Sequence, residues 1–366
     1  MIGPDGQKLV LSEYGETPME AVDRFFRLEA QPAPDPATLA PTDVVLRVRS
    51  CAVGWVDLIM ASGQYQHMAP PPYTPGLEFA GEVAWVGADV TAVQVGDRVL
   101  ADGFLTGPRS GGAHQRWGGM ATWAVVPERA AMPIPEDMSF DQAVNLLGNY
   151  ETATHVLDVR GRVQPGEWVL INGASGSTGL AAVHVAKRLG ARVIATGRSA
   201  EKLAEVQAQG ADHVIVTADG DGGLRSFRKE VKALTAGGVH VVYDGVGGPI
   251  SVESIRAMRF GGRFCIVGWA ATPFVAGGKG RRGAPNANLL PTNLIQMKGL
   301  DVLGCPAIIA TKHDPSLRPR RLRTIRQWLG DGMRPHHGPA FALTDWREAL
   351  LAKWQSRFVG GCVLHP

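Results

Sequence analysis

Between Thr42 and Met132 the apolar positions come in short runs broken by Gly, Pro and Asp: Val44–Val53, Phe79–Val86, Asp97–Ala101 and Met120–Val126. In the first run Val44, Leu46 and Val48 alternate with Val45, Arg47 and Arg49, the period of two expected of a half-buried strand. This half is predicted to be mostly antiparallel β. After Pro165 the rhythm changes to β-branched runs at Trp168–Asn172, Arg192–Thr196, His213–Val216, Val239–Tyr243 and Arg263–Val267. Between the first two, Ala182, Val185, Ala186 and Leu189 mark one apolar face of a helix over Gly179–Gly190 that ends on a glycine. Strand alternating with helix predicts a parallel, doubly wound sheet. Further on come two helix candidates, Arg318–Leu329 and Asp345–Gln355, and a short strand Gly361–His365. They fit neither another strand–helix–strand unit nor a core of their own, so the tail is expected to return to the first half. The expected division is 1–148, 149–305 and 306–366, an α/β protein with a second, mostly antiparallel domain.

Composition narrows the function. The 366 residues have room for two domains, and a formal net charge of +3 is too weak a field to suggest nucleic acid. Cys51, Cys265, Cys305 and Cys362 are far apart, which suits a reducing compartment. The first thirty residues carry acids throughout and lack a signal-peptide pattern, and no apolar stretch is long enough to span a membrane. The expectation is a soluble cytoplasmic protein acting on a small molecule.

The strand Trp168–Asn172 runs straight into Gly173, Ala174, Ser175, Gly176, Ser177, Thr178 and Gly179, then the helix. Such a turn aims backbone N–H groups and the positive end of a helix dipole at a phosphate, and its glycines let a pyrophosphate approach the chain. At the end of the next strand an acid would accept from a ribose 2′-OH and repel a 2′-phosphate. Here Gly197, Arg198 and Ser199 stand there with Lys202 one turn on, which favours NADPH.

With these residues in view, the chain resembles the zinc-independent medium-chain dehydrogenases/reductases of the quinone oxidoreductase group. Further landmarks of the resemblance follow in order: Asp57–Tyr65 ending Ser62-Gly63-Gln64-Tyr65, Pro75–Gly81, Val95–Val99 and Gly118–Ala121. The resemblance implies a GroES-like substrate domain, a Rossmann domain, a cleft between them and a homodimer. The positions that bind the first two catalytic zinc ligands in the zinc enzymes of this superfamily read Gly54 and Leu77 here, neither of which can ligate a metal. Cys51 and His67 add at most two donors. Lacking a Lewis acid, the enzyme is expected to reduce conjugated acceptors, where the charge left by hydride spreads over an enolate or hydroquinone.

The resemblance also assigns site residues. Tyr65 becomes the candidate proton donor, or else a wall of the substrate site. Gly54 stands where relatives often carry Asn, and Trp55 beside it offers an aromatic wall. Thr152 and the backbone of Val267, Gly268 and Trp269 are implied at the nicotinamide, with Asn288 and Asn293 near it, and Val246 and Gly247 on the adenosine side. Thr217 replaces a tyrosine that often stacks on adenine. Two loops depart from the family pattern, Phe104–Trp117 with Arg109, His114 and Arg116, and Ala276–Pro285 with Lys279, Arg281 and Arg282. Each is read as a solvated loop or as a clamp for an anionic substrate tail. The function expected is NADPH-dependent, zinc-free hydride transfer to a quinone or α,β-unsaturated carbonyl, with an enoyl thioester reductase or a non-catalytic NADPH-binding protein as alternatives.

Overall fold

The computed structural model describes residues 2–65, 67–271 and 288–366. These divide into two compact units: one holds the residues up to Leu147 and from Pro335 onward, the other those from Gly148 to Arg334.

The first unit opens with a hairpin, β1 (Gly6–Leu11) antiparallel to β2 (Phe26–Gln31), joined through α1 (Pro18–Arg24). Thr17 caps α1 by accepting from the Glu20 N–H, and Pro18 starts the helix where a missing N–H costs nothing. The central strand is β3 (Asp43–Ala52), antiparallel to both β4 (Phe79–Val86) and β6 (Trp123–Pro127). Beyond β4 the sheet continues through β5 (Arg98–Ala101) to β7 (Ala131–Pro133). The alternation read in the sequence is seen in part: Arg47 is exposed while Val44, Leu46 and Val48 are buried, and Val45 is buried as well because it packs with Trp123 and Val125 in a second small cluster. After β3 comes α2 (Trp55–Ala61), and after β7 comes α3 (Phe140–Ala143).

The second unit is a parallel sheet of β8 (Trp168–Asn172), β9 (Arg192–Gly197), β10 (His213–Val216), β11 (Val239–Asp244), β12 (Met258–Ile266) and β13 (Asp301–Gly304). Its order, β10-β9-β8-β11-β12-β13, is that of a Rossmann sheet, with the reversal falling between β8 and β11. The segment before it winds through α4 (Thr152–Thr154) flanked by π-helical turns at Leu147–Glu151 and His155–Arg160. The helices α5 (Ser177–Arg188), α6 (Ala200–Ala208), α7 (Arg228–Thr235), α8 (Pro249–Ala257) and α9 (Thr292–Met297) connect the strands.

The sequence expectation differs from the structure at the tail. The return to the first unit comes at Pro335 rather than 306, because α10 (Ala307–His313) and α11 (Leu317–Gly330) belong to the Rossmann unit. The reason is electrostatic. Arg318 forks onto the buried Glu151 carboxylate, with Nη2 at 3.0 Å, and the fully buried Arg321 lies 3.6 Å from the same group and 3.2 Å from His155 Nδ1. Only after Arg334 does the chain add β14 (Ala340–Ala342), α12 (Trp346–Trp354) and β15 (Val363–His365), the last antiparallel to β3. The Ala276–Pro285 loop lies outside the described residues.

Candidate active site

In the Rossmann unit, β8 ends in the glycine turn, and the three glycines do different work. A Cβ on Gly179 would sit 2.3 Å from the Gly173 carbonyl, so close helix–turn packing requires hydrogen there. Gly173 has φ of 67° and faces Val246. Gly176 is different: a Cβ there would meet nothing in the chain nearer than 3.4 Å. It precedes α5, whose N-terminus no side chain caps. The chain itself does not need a glycine at this point, whereas a pyrophosphate resting on the helix N-terminus does.

At the end of β9, Ser199 caps α6 by accepting from the Lys202 N–H at 3.3 Å. Arg198 is exposed beside it. The Lys202 ammonium is pulled below its usual pKa by burial and then by repulsion from Arg198. Two cations held this close suit a group with negative charge.

Asp244, at the end of β11, organises the loops implied at the nicotinamide and adenosine, a role that sequence reasoning missed. Its Oδ1 accepts from the N–H groups of Val246 (3.0 Å) and Gly247 (3.2 Å), and its other oxygen accepts from Ser251. Its carbonyl accepts from the N–H of Val267 (2.9 Å) and Gly268 (3.3 Å). The two loops are thereby laced together, continued by Ala271 N–H onto the Val246 carbonyl at 2.8 Å. Trp269 is left 46 % exposed beside Gly247. Asn288 reaches this loop, accepting from Gly248 N–H and donating to Ser251. Asn293 does not: it stands exposed on the first turn of α9. Thr152 is half-buried at the start of α4, and Thr178 of the glycine turn donates to Asn149 at 3.2 Å. Thr217 is spent on the Gly197 carbonyl.

In the other unit Gly54 and Trp55 stand at the start of α2, and Tyr65 lies beyond its C-terminal end. Gly54 is its N-cap, and the buried Asp57 closes the cap: Oδ2 accepts from Gly54 N–H and Oδ1 from Gly76 N–H, both at 3.0 Å. A Cβ at Gly54 would lie 2.7 Å from that carboxylate, which explains the glycine. Burial raises the Asp57 carboxyl to about 6 against the pull of those N–H groups and of Arg109. Trp55 stacks on Trp354 at 4.9 Å with planes 6° apart, so one face of its indole is already covered. Tyr65 is half-buried, edge-on to His67.

The Phe104–Trp117 loop is not a loose solvated strap. His114 Nε2 meets Asp43 at 2.8 Å, Thr106 donates to the Val125 carbonyl, Gln115 donates to the Ser110 carbonyl and Arg116 lies over Trp117.

A catalytic zinc does not fit these residues. Gly54 and Leu77 offer no donor, the Cys51 thiol is fully buried and pushed up by burial, and the described residues hold no group of three or more His, Cys, Asp or Glu able to bind a metal.

Comparison with known proteins agrees with both units. The model of the alcohol dehydrogenase GroES-like domain matches residues 40–136, and that of the zinc-binding dehydrogenase matches 177–308. Quinone oxidoreductase-like protein 2 of Mus musculus is 33 % identical over 332 residues, covering 90 % of this chain and 86 % of its own. Quinone oxidoreductase of Pseudomonas syringae superposes with a TM-score of 0.75 at 27 % identity over 99 % and 100 % of the two chains. That of Thermus thermophilus, solved also with NADPH, gives 0.74 at 26 % over 98 % and 100 %. The fold is that of a dehydrogenase or reductase that uses a nicotinamide dinucleotide. The chain belongs to the medium-chain dehydrogenase/reductase family, in its quinone oxidoreductase group.

Proposed function

We propose that the protein is an NADPH-dependent reductase that delivers hydride to a carbon conjugated with a carbonyl, in a quinone or an α,β-unsaturated ketone or aldehyde, without a metal. The observation that carries the reading is the acid-free end of β9, where Arg198 and the depressed Lys202 stand beside a glycine turn whose middle glycine the chain itself does not require. Gly173–Gly179 would hold the pyrophosphate, Arg198, Ser199 and Lys202 the 2′-phosphate, and Thr152 with the 267–269 backbone the nicotinamide. NADPH supplies the hydride. Without a Lewis acid at Gly54 and Leu77, conjugation spreads the charge that an isolated ketone would leave on one oxygen.

A quinone or enone is favoured over an enoyl thioester. A CoA tail calls for several spare cations, and in the described basic loop His114 is committed to Asp43, which leaves Arg109 and the exposed Arg116. The test is NADPH oxidation, followed at the nicotinamide absorbance, against a panel of quinones, enones, enals and enoyl thioesters. NADPH that binds but is consumed with no member of the panel contradicts the reading and leaves a nucleotide-binding protein without turnover.

A further inference from the structure

Arg109 stands apart from the other cations of its loop. Its Nε is buried with no hydrogen-bond partner, and its guanidinium forms no hydrogen bond or ion pair among the described residues. It lies over the Phe104 ring, 5.3 Å from the centroid, and Nη2 is 3.2 Å from where a Cβ on Gly103 would stand, itself 2.5 Å from the Leu77 carbonyl. From there it lowers the Asp57 carboxyl electrostatically. Asp57 acts on its charge without a hydrogen bond to it, its carboxylate oxygens accepting from Gly54 and Gly76 N–H. Of its N–H donors, Nε is the one that is buried without an acceptor, and leaving it so is costly unless an acceptor arrives.

The surroundings hold this cation still. Gly107 N–H donates to the His114 carbonyl at 3.1 Å, Ser110 Oγ to the Gly107 carbonyl at 2.8 Å, and Thr106 and His114 pin the flanks. Donors fixed in advance and aimed where charge develops are the requirement for stabilising an oxyanion. Gly103 lies between Nη2 and the Leu77 carbonyl, and Asp57, on which the guanidinium acts, accepts from Gly54 N–H.

We propose that Arg109 is a catalytic residue of the reductase, its guanidinium donating hydrogen bonds to the carbonyl oxygen of the acceptor and holding the negative charge that oxygen gains. This rests on the reductase reading above. A new C–H bond forms at the conjugated carbon with the electron pair that NADPH gives up as it becomes NADP⁺. The carbon–carbon π pair shifts to give an enolate whose charge lies largely on the oxygen facing Arg109, and a proton from Tyr65 or water then completes the product. The acceptor oxygen belongs to a neutral carbonyl, since a substrate carboxylate would crowd a second full negative charge against Asp57.

The experiment compares the wild type with Arg109→Met and Arg109→Lys. On an enone, Arg109→Met should lower kcat by about 10²-fold or more, with KM and NADPH affinity changed far less. Arg109→Lys, which keeps charge but not the fork, should fall between. Guanidinium ion added at millimolar concentration should restore part of the activity of Arg109→Ala. A second readout needs no turnover: 4-nitrophenolate, a delocalised oxyanion, should bind the wild type at least tenfold more tightly than Arg109→Met, while neutral 4-nitroanisole binds both alike. Unchanged kcat, or equal phenolate affinity in folded variants, overturns the proposal. A wild type that reduces no acceptor yet binds phenolate through Arg109 overturns the reductase reading and keeps the oxyanion site.

Discussion

Arg198 stands where one side chain separates the two nicotinamide dinucleotides. A charge-assisted hydrogen bond contributes about 1.5–3 kcal/mol, so Arg198→Asp should cost about 10- to 10²-fold in NADPH affinity and leave NADH little changed, as titration of nucleotide fluorescence will read. Equal affinities of the wild type for both nucleotides would contradict the assignment. Tyr65 is the second such residue. Reducing an enone leaves an enolate that needs a proton, whereas a reduced quinone is protonated readily by water. Tyr65→Phe should therefore lower kcat on enones by about 10²-fold, with little loss on quinones, and an enone rate equal to the wild type would reduce Tyr65 to a wall of the site. Both residues were named from the sequence, Arg198 from its place after β9 and Tyr65 from the family resemblance. The role of Arg109 was not, because Phe104, Gly103 and Asp57 are brought around it by tertiary structure alone.

At the scale of elements, the turn between β8 and α5 separates packing from binding. Gly179→Ala puts a Cβ 2.3 Å from the Gly173 carbonyl and should destabilise the fold by about 1–3 kcal/mol. Gly176→Ala puts a Cβ no nearer than 3.4 Å to the chain and should largely spare stability while weakening NADPH binding, so a melting curve and a titration distinguish the two. The cap of α2 carries a pH dependence. Asp57 has a folded pKa of about 6, above its unfolded value of about 3.9. The folded state therefore keeps the proton to higher pH, and the stability this gives is full below the unfolded pKa and lost as pH rises through 6. In denaturant titrations the advantage of the wild type over Asp57→Asn should be larger at pH 4.5 than at 7.5, by about 2 kcal/mol. An advantage that grows with pH would contradict the burial of this carboxyl. Among the elements, the runs named from the sequence were found to within a few residues, whereas the hairpin of β1 and β2 was not read. The strand β13 was missed, being four residues long at the sheet edge with little buried surface to leave a pattern.

For the molecule as a whole, the switch from period-two runs to alternating strand and helix announced both units, since each buries a different layer arrangement. The place where the tail returns was misplaced because α11 fits no strand–helix–strand unit, while Arg318 and Arg321 in fact meet Glu151 from far along the chain. No spacing in the sequence encodes that partner. No helix among the described residues is long and apolar enough to cross a membrane. The positions read as the first two zinc ligands carry Gly54 and Leu77, which offer no donor. Elemental analysis should find well under one zinc per chain, and stoichiometric zinc would show that ligands come from elsewhere.

The most direct test of a metal-free, NADPH-dependent reduction of conjugated carbonyls is steady-state turnover of exhaustively chelated enzyme with quinones and enones, NADPH and NADH run side by side. The account predicts full activity after chelation, with kcat/KM higher for NADPH. Activity that vanishes on chelation and returns with zinc, or turnover that prefers NADH, would contradict it.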